Sequence, residues 1–182
     1  MNSENSLATT LKNALLQGLE EAVEKLSTPD VADWIEKEFY IPETRNDPQI
    51  RGHFVLQDYQ RDVLREATSK DENGLYKYSI IVWSDIKKSA KSTIAAAVNL
   101  WGTEFSEFGE RYVVANDLNQ ANSRVNQYIR RAITLNAKMR GVYTTRGYQV
   151  TASNGSFILA IPIDPSGEAG SNADMITFSE LW

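Results

Sequence analysis

Asp85-Ile86-Lys87-Lys88-Ser89-Ala90-Lys91-Ser92 concentrates more reactive chemistry than any other stretch of this chain. It follows the apolar run Ser79 to Trp83 and precedes a helical pattern from about Lys91, where Ile94, Val98 and Trp101 share one stripe. A strand–loop–helix connection offers unpaired backbone N–H groups and the positive end of a helix dipole, both of which attract phosphate. In that arrangement Lys91 reaches the β- and γ-phosphates and the Ser92 hydroxyl ligates Mg²⁺, with Thr93 in the same first turn. Lys87 and Lys88 help balance charge, and Ser89 and Ala90 line the approach. Phosphate loops ask for glycine where this chain has Asp85 and Ala90, because the loop needs unusual dihedrals and close backbone approach. A lysine-rich surface loop between strand and helix is therefore the alternative that the segment by itself leaves open.

Two further groups belong to the same chemistry. Glu180 lies two residues after the apolar run Met175 to Phe178, at a strand's carboxyl end, where parallel α/β sheets bind ligands. A carboxylate there orients the water that attacks a γ-phosphate, or is simply a solvated strand-end residue. Ser179 stands where a Mg²⁺-associated aspartate would be expected. Upstream, Phe54-Val55-Leu56-Gln57-Asp58-Tyr59-Gln60 places Gln60 at the start of an amphipathic helix. Its amide matches the donor–acceptor edge of adenine, although a surface glutamine early in a helix is equally ordinary.

The elements that must position these groups follow from periodicity. Residues 7 to 26 read as an amphipathic helix, and a second helix capped by Asp30 carries Trp34, Ile35 and Phe39 before Pro42 stops it. Residues 1–42 are thus expected to form an N-terminal helical arm, 43–53 a polar linker with an exposed His53, and 54–182 the core. Ser79 to Trp83 and Arg111 to Ala115 read as buried strands, and Leu118 to about Leu135 as one continuous helix begun by Asp117. Tyr148 to Ala152 and Phe157 to Ile161 flank Asn154-Gly155, which favours a hairpin with a type I′ turn. That order predicts an α/β fold with a mainly parallel sheet flanked by helices. Trp34, Trp83 and Trp101 fall on apolar periodicities and are expected in or beside the core.

Composition narrows the chemistry further. The 182 residues contain no cysteine and one histidine, which excludes disulfides, thiol catalysis and the usual zinc centres, so any metal must be held by oxygen. No apolar stretch reaches the roughly 20 residues a membrane helix needs, and the N-terminus lacks a signal-peptide pattern, so a non-secreted, cytoplasmic protein is expected. The net charge of −5 argues against a wholly basic nucleic-acid coat. Yet Leu118 to Ile163 has no carboxylate, and Arg124, Arg131, Lys138 and Arg140 within it are candidate contacts to a DNA backbone. Arg124, Gln127 and Arg131 share a helical stripe, which equally suits a solvated face.

In the order and spacing of these segments the chain resembles the large terminase subunits of tailed bacteriophages. The resemblance lies in Leu56-Gln57-Asp58-Tyr59-Gln60, in Lys87-Lys88-Ser89-Ala90-Lys91-Ser92, in Ala115-Asn116-Asp117 with Gln120-Ala121, and in Gly170 to Trp182. It covers about Asp30 to Trp182 and departs from the family at Ala90 and Ser179. What the resemblance implies is a P-loop NTPase-like ATPase domain, truncated after the strand that ends in Glu180, with ATP and Mg²⁺ as cofactors. Gln60 would contact adenine, Lys91 and Glu180 would be catalytic, and Asp85 could substitute for the missing aspartate beyond the ion's direct ligands. Hydrolysis would drive packaging of double-stranded DNA into a capsid, in the cytoplasm of an infected bacterium. Partners would be the portal protein, the small terminase subunit and further copies in a ring, and the family's nuclease domain is not in this chain. A catalytically degenerate P-loop scaffold and a fragment of a helicase-type translocase are the alternatives.

Overall fold

In the computed structural model, which describes residues 12–13, 15–16, 28–163 and 172–179, the Asp30 carboxylate caps the helix that follows it. It accepts the backbone N–H groups of Ala32 and Asp33, both at 3.0 Å. That helix, α1 (Val31–Glu38), buries Val31, Ala32, Trp34 and Ile35. The helix expected over residues 7–26 lies almost wholly outside the described residues. Three more helices follow the expected pattern: α2 (Asp58–Ala67), α3 (Lys91–Glu104) and, after β1 (Glu110–Ala115), a helical stretch from Leu118 to Leu135. The remaining elements are α6 (Ala137–Val142), β2 (Tyr143–Arg146), β3 (Gln149–Ala152), β4 (Phe157–Pro162) and β5 (Ala173–Phe178). Trp34 and Trp101 are buried, and Trp83 packs beside them as expected.

The five strands form one sheet in the order β2-β3-β4-β1-β5. β1 is central and pairs in parallel with both β4 and β5, while β2-β3 and β3-β4 are antiparallel. The sheet is therefore mixed rather than mainly parallel, because the hairpin and the unforeseen β2 add an antiparallel half. The hairpin itself forms where expected, but Gly155 alone of the turn pair has a positive φ, so the turn is not type I′. Asn154 is held otherwise: its amide donates to the carbonyls of Thr103, Glu104 and Ser106, which ties the hairpin to the end of α3.

Ser79 to Trp83 forms no strand. A strand exists only through a ladder that satisfies its backbone groups, and among the described residues none is paired with this run. Among the described residues the sheet ends at β5 instead. Trp83 at its end packs against the core, but Ile80 and Val82 are 82% and 80% exposed, and Ile80 and Ile81 only border a groove lined by Val63, Glu66 and Ala67 of α2. The apolar character that suggests a buried strand is thus left facing solvent.

The helix after β1 is interrupted as well. It runs as α4 (Leu118–Ala121), a π turn (Asn122–Asn126) and α5 (Gln127–Leu135). The wider turn accommodates a fully buried Asn126, whose amide donates to Asn122 Oδ1 at 2.8 Å. The helical spacing that aligns Arg124 with Gln127 and Arg131 does not hold through that turn. Among the described residues, no helix is long and apolar enough to cross a membrane.

Ion pairs from Arg61 and Arg65 join α1 and its cap to the element that carries Gln60. Arg61 on α2 donates from Nη2 and Nε to the two carboxylate oxygens of Glu36 on α1, at 2.7 and 3.1 Å, and Glu36 also accepts the N–H of Leu56. Burial pushes the Glu36 carboxyl upward, but the Arg61 guanidinium and the Leu56 N–H together outweigh it and hold the group below the usual glutamate range. The folded protein therefore binds that proton less tightly than the unfolded chain. The stability this confers is present above the unfolded value, about 4.3, and is lost as pH falls through the lower folded value. Urea unfolding at a series of acidic pH values is expected to show this decline, and Arg61→Gln to be less stable near neutrality with a shallower acid dependence.

Candidate functional site

α3 is enclosed along most of its length, and this sets where Lys91 stands. Gly102, near its end, lies against Arg111 at the start of β1, so close that a Cβ there would fall 2.6 Å from the guanidinium carbon. Asn99 donates to Thr177 Oγ1 on β5 at 2.8 Å. α3 is therefore antiparallel to β1 and β5, and its first residue, Lys91, is about 12 Å further along than Asn99, at the carboxyl-end side of the strands. Ligands of open α/β sheets bind on that side.

The connection into α3 has the backbone of a tight loop although it lacks glycine. Lys88 and Ala90 adopt left-handed conformations, with φ of 72° and 64°. Ala90 is the cap of α3, and no side chain satisfies the helix's first N–H groups. Lys91 folds back so that its ammonium donates to the carbonyls of Asp85 and Ile86, both at 2.8 Å. The Asp85 carboxylate accepts the N–H of Ile86 at 2.7 Å and the hydroxyl of Tyr59 at 2.9 Å. These two donors hold its pKa below the usual carboxylate range, while the same bond raises that of Tyr59. Asp85 thus stays ionised and its carboxylate braces the loop.

Gln60 is brought to the same place. Its Nε2 donates to the carbonyl of Ser89 at 3.1 Å and its Oε1 accepts the N–H of Gln57 at 2.9 Å. The amide is 4% exposed, so in this conformation it supports the loop from below, and contact with a base would require these bonds to exchange. Ser92 and Thr93 lie on the first turn of α3, with Thr93 buried. Lys87 and Lys88 are exposed. Glu180 lies outside the described residues. Ser179 closes β5 with its N–H on the carbonyl of Val114 at 2.9 Å. Among the described residues, no three acidic or histidine side chains form a group that could hold a metal.

The basic candidates differ in how their charges are engaged. Lys138 sits between Glu38 at 3.2 Å and Glu104 at 3.8 Å, so its charge is already compensated. Arg131 lies over the ring of Tyr128, 5.9 Å from its centroid, whereas Arg140 on α6 donates to the carbonyl of Thr134 at the end of α5. Arg124 is on the π turn. Two contributors are invisible to spacing: Tyr59, beside Gln60, and the Asn99–Thr177 pair, whose members are 78 residues apart. No protein-family model matches the chain, and comparison with curated proteins finds no match.

The strain at Ala90 is measurable. A left-handed alanine costs about 1 to 2 kcal/mol that glycine does not pay. Ala90→Gly is therefore expected to raise the unfolding free energy by up to about 1 kcal/mol once glycine's greater unfolded entropy is counted, and Ala90→Val to lower it. Thermal and denaturant melts of the two variants check the sign.

Proposed function

We propose that this chain binds ATP with Mg²⁺ at the loop from Asp85 to Thr93 and forms part of a DNA-packaging ATPase, as its resemblance to the large terminase subunits implies. The observation that carries the reading is the ammonium of Lys91, folded over two loop carbonyls at the head of a helix without a side-chain cap. A triphosphate tail offers that ammonium better acceptors and supplies the negative charge that the first turn of α3 attracts. Lys87 and Lys88, exposed beside it, add positive charge, and Gln60 would hold the adenine end if its amide exchanged partners on binding.

The donor set suits a hard cation. Ser92 on the first turn of α3 would ligate Mg²⁺, and the ionised Asp85, already fixed by Tyr59, would stand beyond its direct ligands. The ion would neutralise charge on the phosphates, and Glu180 would position the attacking water. In a larger assembly, hydrolysis would be coupled to movement of double-stranded DNA, with the portal protein, small terminase subunit and further copies as partners. A second reading, nucleotide binding without turnover, is favoured by Ser179 at the end of β5, where this chemistry expects an aspartate.

Titration with ATP, with and without Mg²⁺, tests the assignment. Lys91→Ala is expected to weaken binding about tenfold or more, since a hydrogen bond to a charged group contributes about 1.5–3 kcal/mol. Equal affinity of the two proteins would remove the loop from consideration. Phosphate release distinguishes the readings: turnover in the parent chain supports the ATPase, and binding that raises the melting temperature without release supports the scaffold.

A further inference from the structure

Residues 41–53 fold into a closed loop rather than an extended connection. Ile41 N–H donates to the Gly52 carbonyl at 2.8 Å, Thr44 Oγ1 to the His53 carbonyl at 3.0 Å, and Arg51 N–H to the Asp47 carbonyl at 2.7 Å. Tyr40 and His53 are paired as a β-bridge, with their ring centroids 4.3 Å apart and the planes tilted by 39°, and His53 is half-buried rather than exposed. Arg51 and Gly52 are consecutive left-handed residues, φ 53° and 90°, and a Cβ at Gly52 would come within 3.3 Å of the Tyr40 ring. The backbone beneath Arg45 and Arg51 is therefore well fixed.

Between this loop and the end of α5 lies a cavity of about 260 Å³. Arg45, Arg51 and Arg140 line it from separate parts of the chain, with Tyr40 and Thr134 beside them, and no carboxylate contributes to its wall. Arg140 has a carbonyl partner, that of Thr134. Arg45 and Arg51 have no side-chain hydrogen bond or ion pair among the described residues. The contrast with α2 is informative, because Arg61 and Arg65 are each paired with two carboxylates. Three guanidinium groups around one concavity repel one another unless an anion is shared, and their planar forks match the oxygens of a phosphoryl group.

We propose that this cavity is a second anion site, which binds a phosphoryl group through Arg45, Arg51 and Arg140. It shares no residue with the loop at α3 and does not depend on the nucleotide reading of that loop. Its volume lies just below the usual range of ligand pockets, about 300–1,000 Å³, so it accommodates a phosphoryl group and little more. That group can belong to a free phosphate ester or to a nucleic-acid backbone.

Pyrophosphate titration by calorimetry into the full chain, in a Lys91→Ala background that silences the loop at α3, tests the site. Binding is expected in that background. Replacing Arg45 by Gln and Arg51 by Asn, which tolerates the left-handed backbone, is expected to weaken it at least tenfold. Absence of binding in the Lys91→Ala protein would overturn the proposal, as would unchanged affinity after the double replacement. Should the double variant melt early, Arg45→Gln alone carries the test: its side chain is exposed and has no partner to lose, and a several-fold loss is expected from it. Two arms then identify the source. Tighter binding of a 5′-phosphorylated mononucleotide than of its nucleoside, with no effect of the replacements on duplex DNA, assigns a free ester. A fall of about two in the salt slope of duplex binding on the double replacement assigns a nucleic-acid phosphate.

Discussion

The enclosure of α3 is the constraint on which the rest of the molecule depends. This helix meets the segment leading into α1 through the Trp101 indole, which donates to the Pro29 carbonyl at 3.0 Å, and β5 through Asn99. It meets the hairpin through Asn154 and packs on α5 through its buried stripe. Nine of its fourteen residues are buried, so it has little freedom to tilt or slide. The position of Lys91, and the direction in which the first turn of α3 faces, are consequences of contacts made two and three turns away. Gly102 makes this possible by admitting the Arg111 side chain, whose burial lowers its pKa but leaves it hydrogen-bonded to Ser106.

A second theme is the use of polar side chains to secure backbone that cannot secure itself. Asp85 and Lys91, from the two ends of the same short loop, both satisfy backbone at its start, one by accepting the Ile86 N–H and the other by donating to the Asp85 and Ile86 carbonyls. Gln60 reaches the loop from α2 and Tyr59 reaches Asp85 from the adjacent position. Together they hold left-handed geometry at Lys88 and Ala90 that no glycine supplies. The loop at 41–53 follows the same logic, with Thr44 closing it and Arg51 held in a strained conformation. Both loops present cations, and in both the backbone is fixed before any ligand arrives, which lowers the entropy cost of binding.

Much of this architecture is legible in the chain itself. Asp30 as a cap, the helix from Lys91, β1, the hairpin around Asn154-Gly155 and the strand at Met175 to Phe178 all follow from local periodicity and turn chemistry, because their signals lie within a few residues of one another. The loop at Asp85 to Ser92 is likewise marked by its neighbours, and Gln60 lies against it through a hydrogen bond to the Ser89 carbonyl. The apolar run at Ser79 to Trp83 misleads because hydrophobicity records a preference for burial and cannot supply a pairing partner. The π turn at Asn122–Asn126 is hidden for a related reason: it accompanies the burial of Asn126, whose amide pairs with Asn122, and local propensity does not encode that burial.

What the sequence determined alone is the set of elements and the kinds of groups they carry: an α/β order, a cationic loop before a helix, and arginines scattered through a carboxylate-free stretch. What only the tertiary structure decided is which of these groups meet. It turned an amide suited to a base edge into a brace beneath the loop, and Lys138 into a neutralised partner of two glutamates. It also set Arg45 and Arg51 beside Arg140, which is distant from both in the chain, around one cavity. The reason is physical: periodicity governs spacing along a chain, whereas charge compensation and burial depend on distances through space.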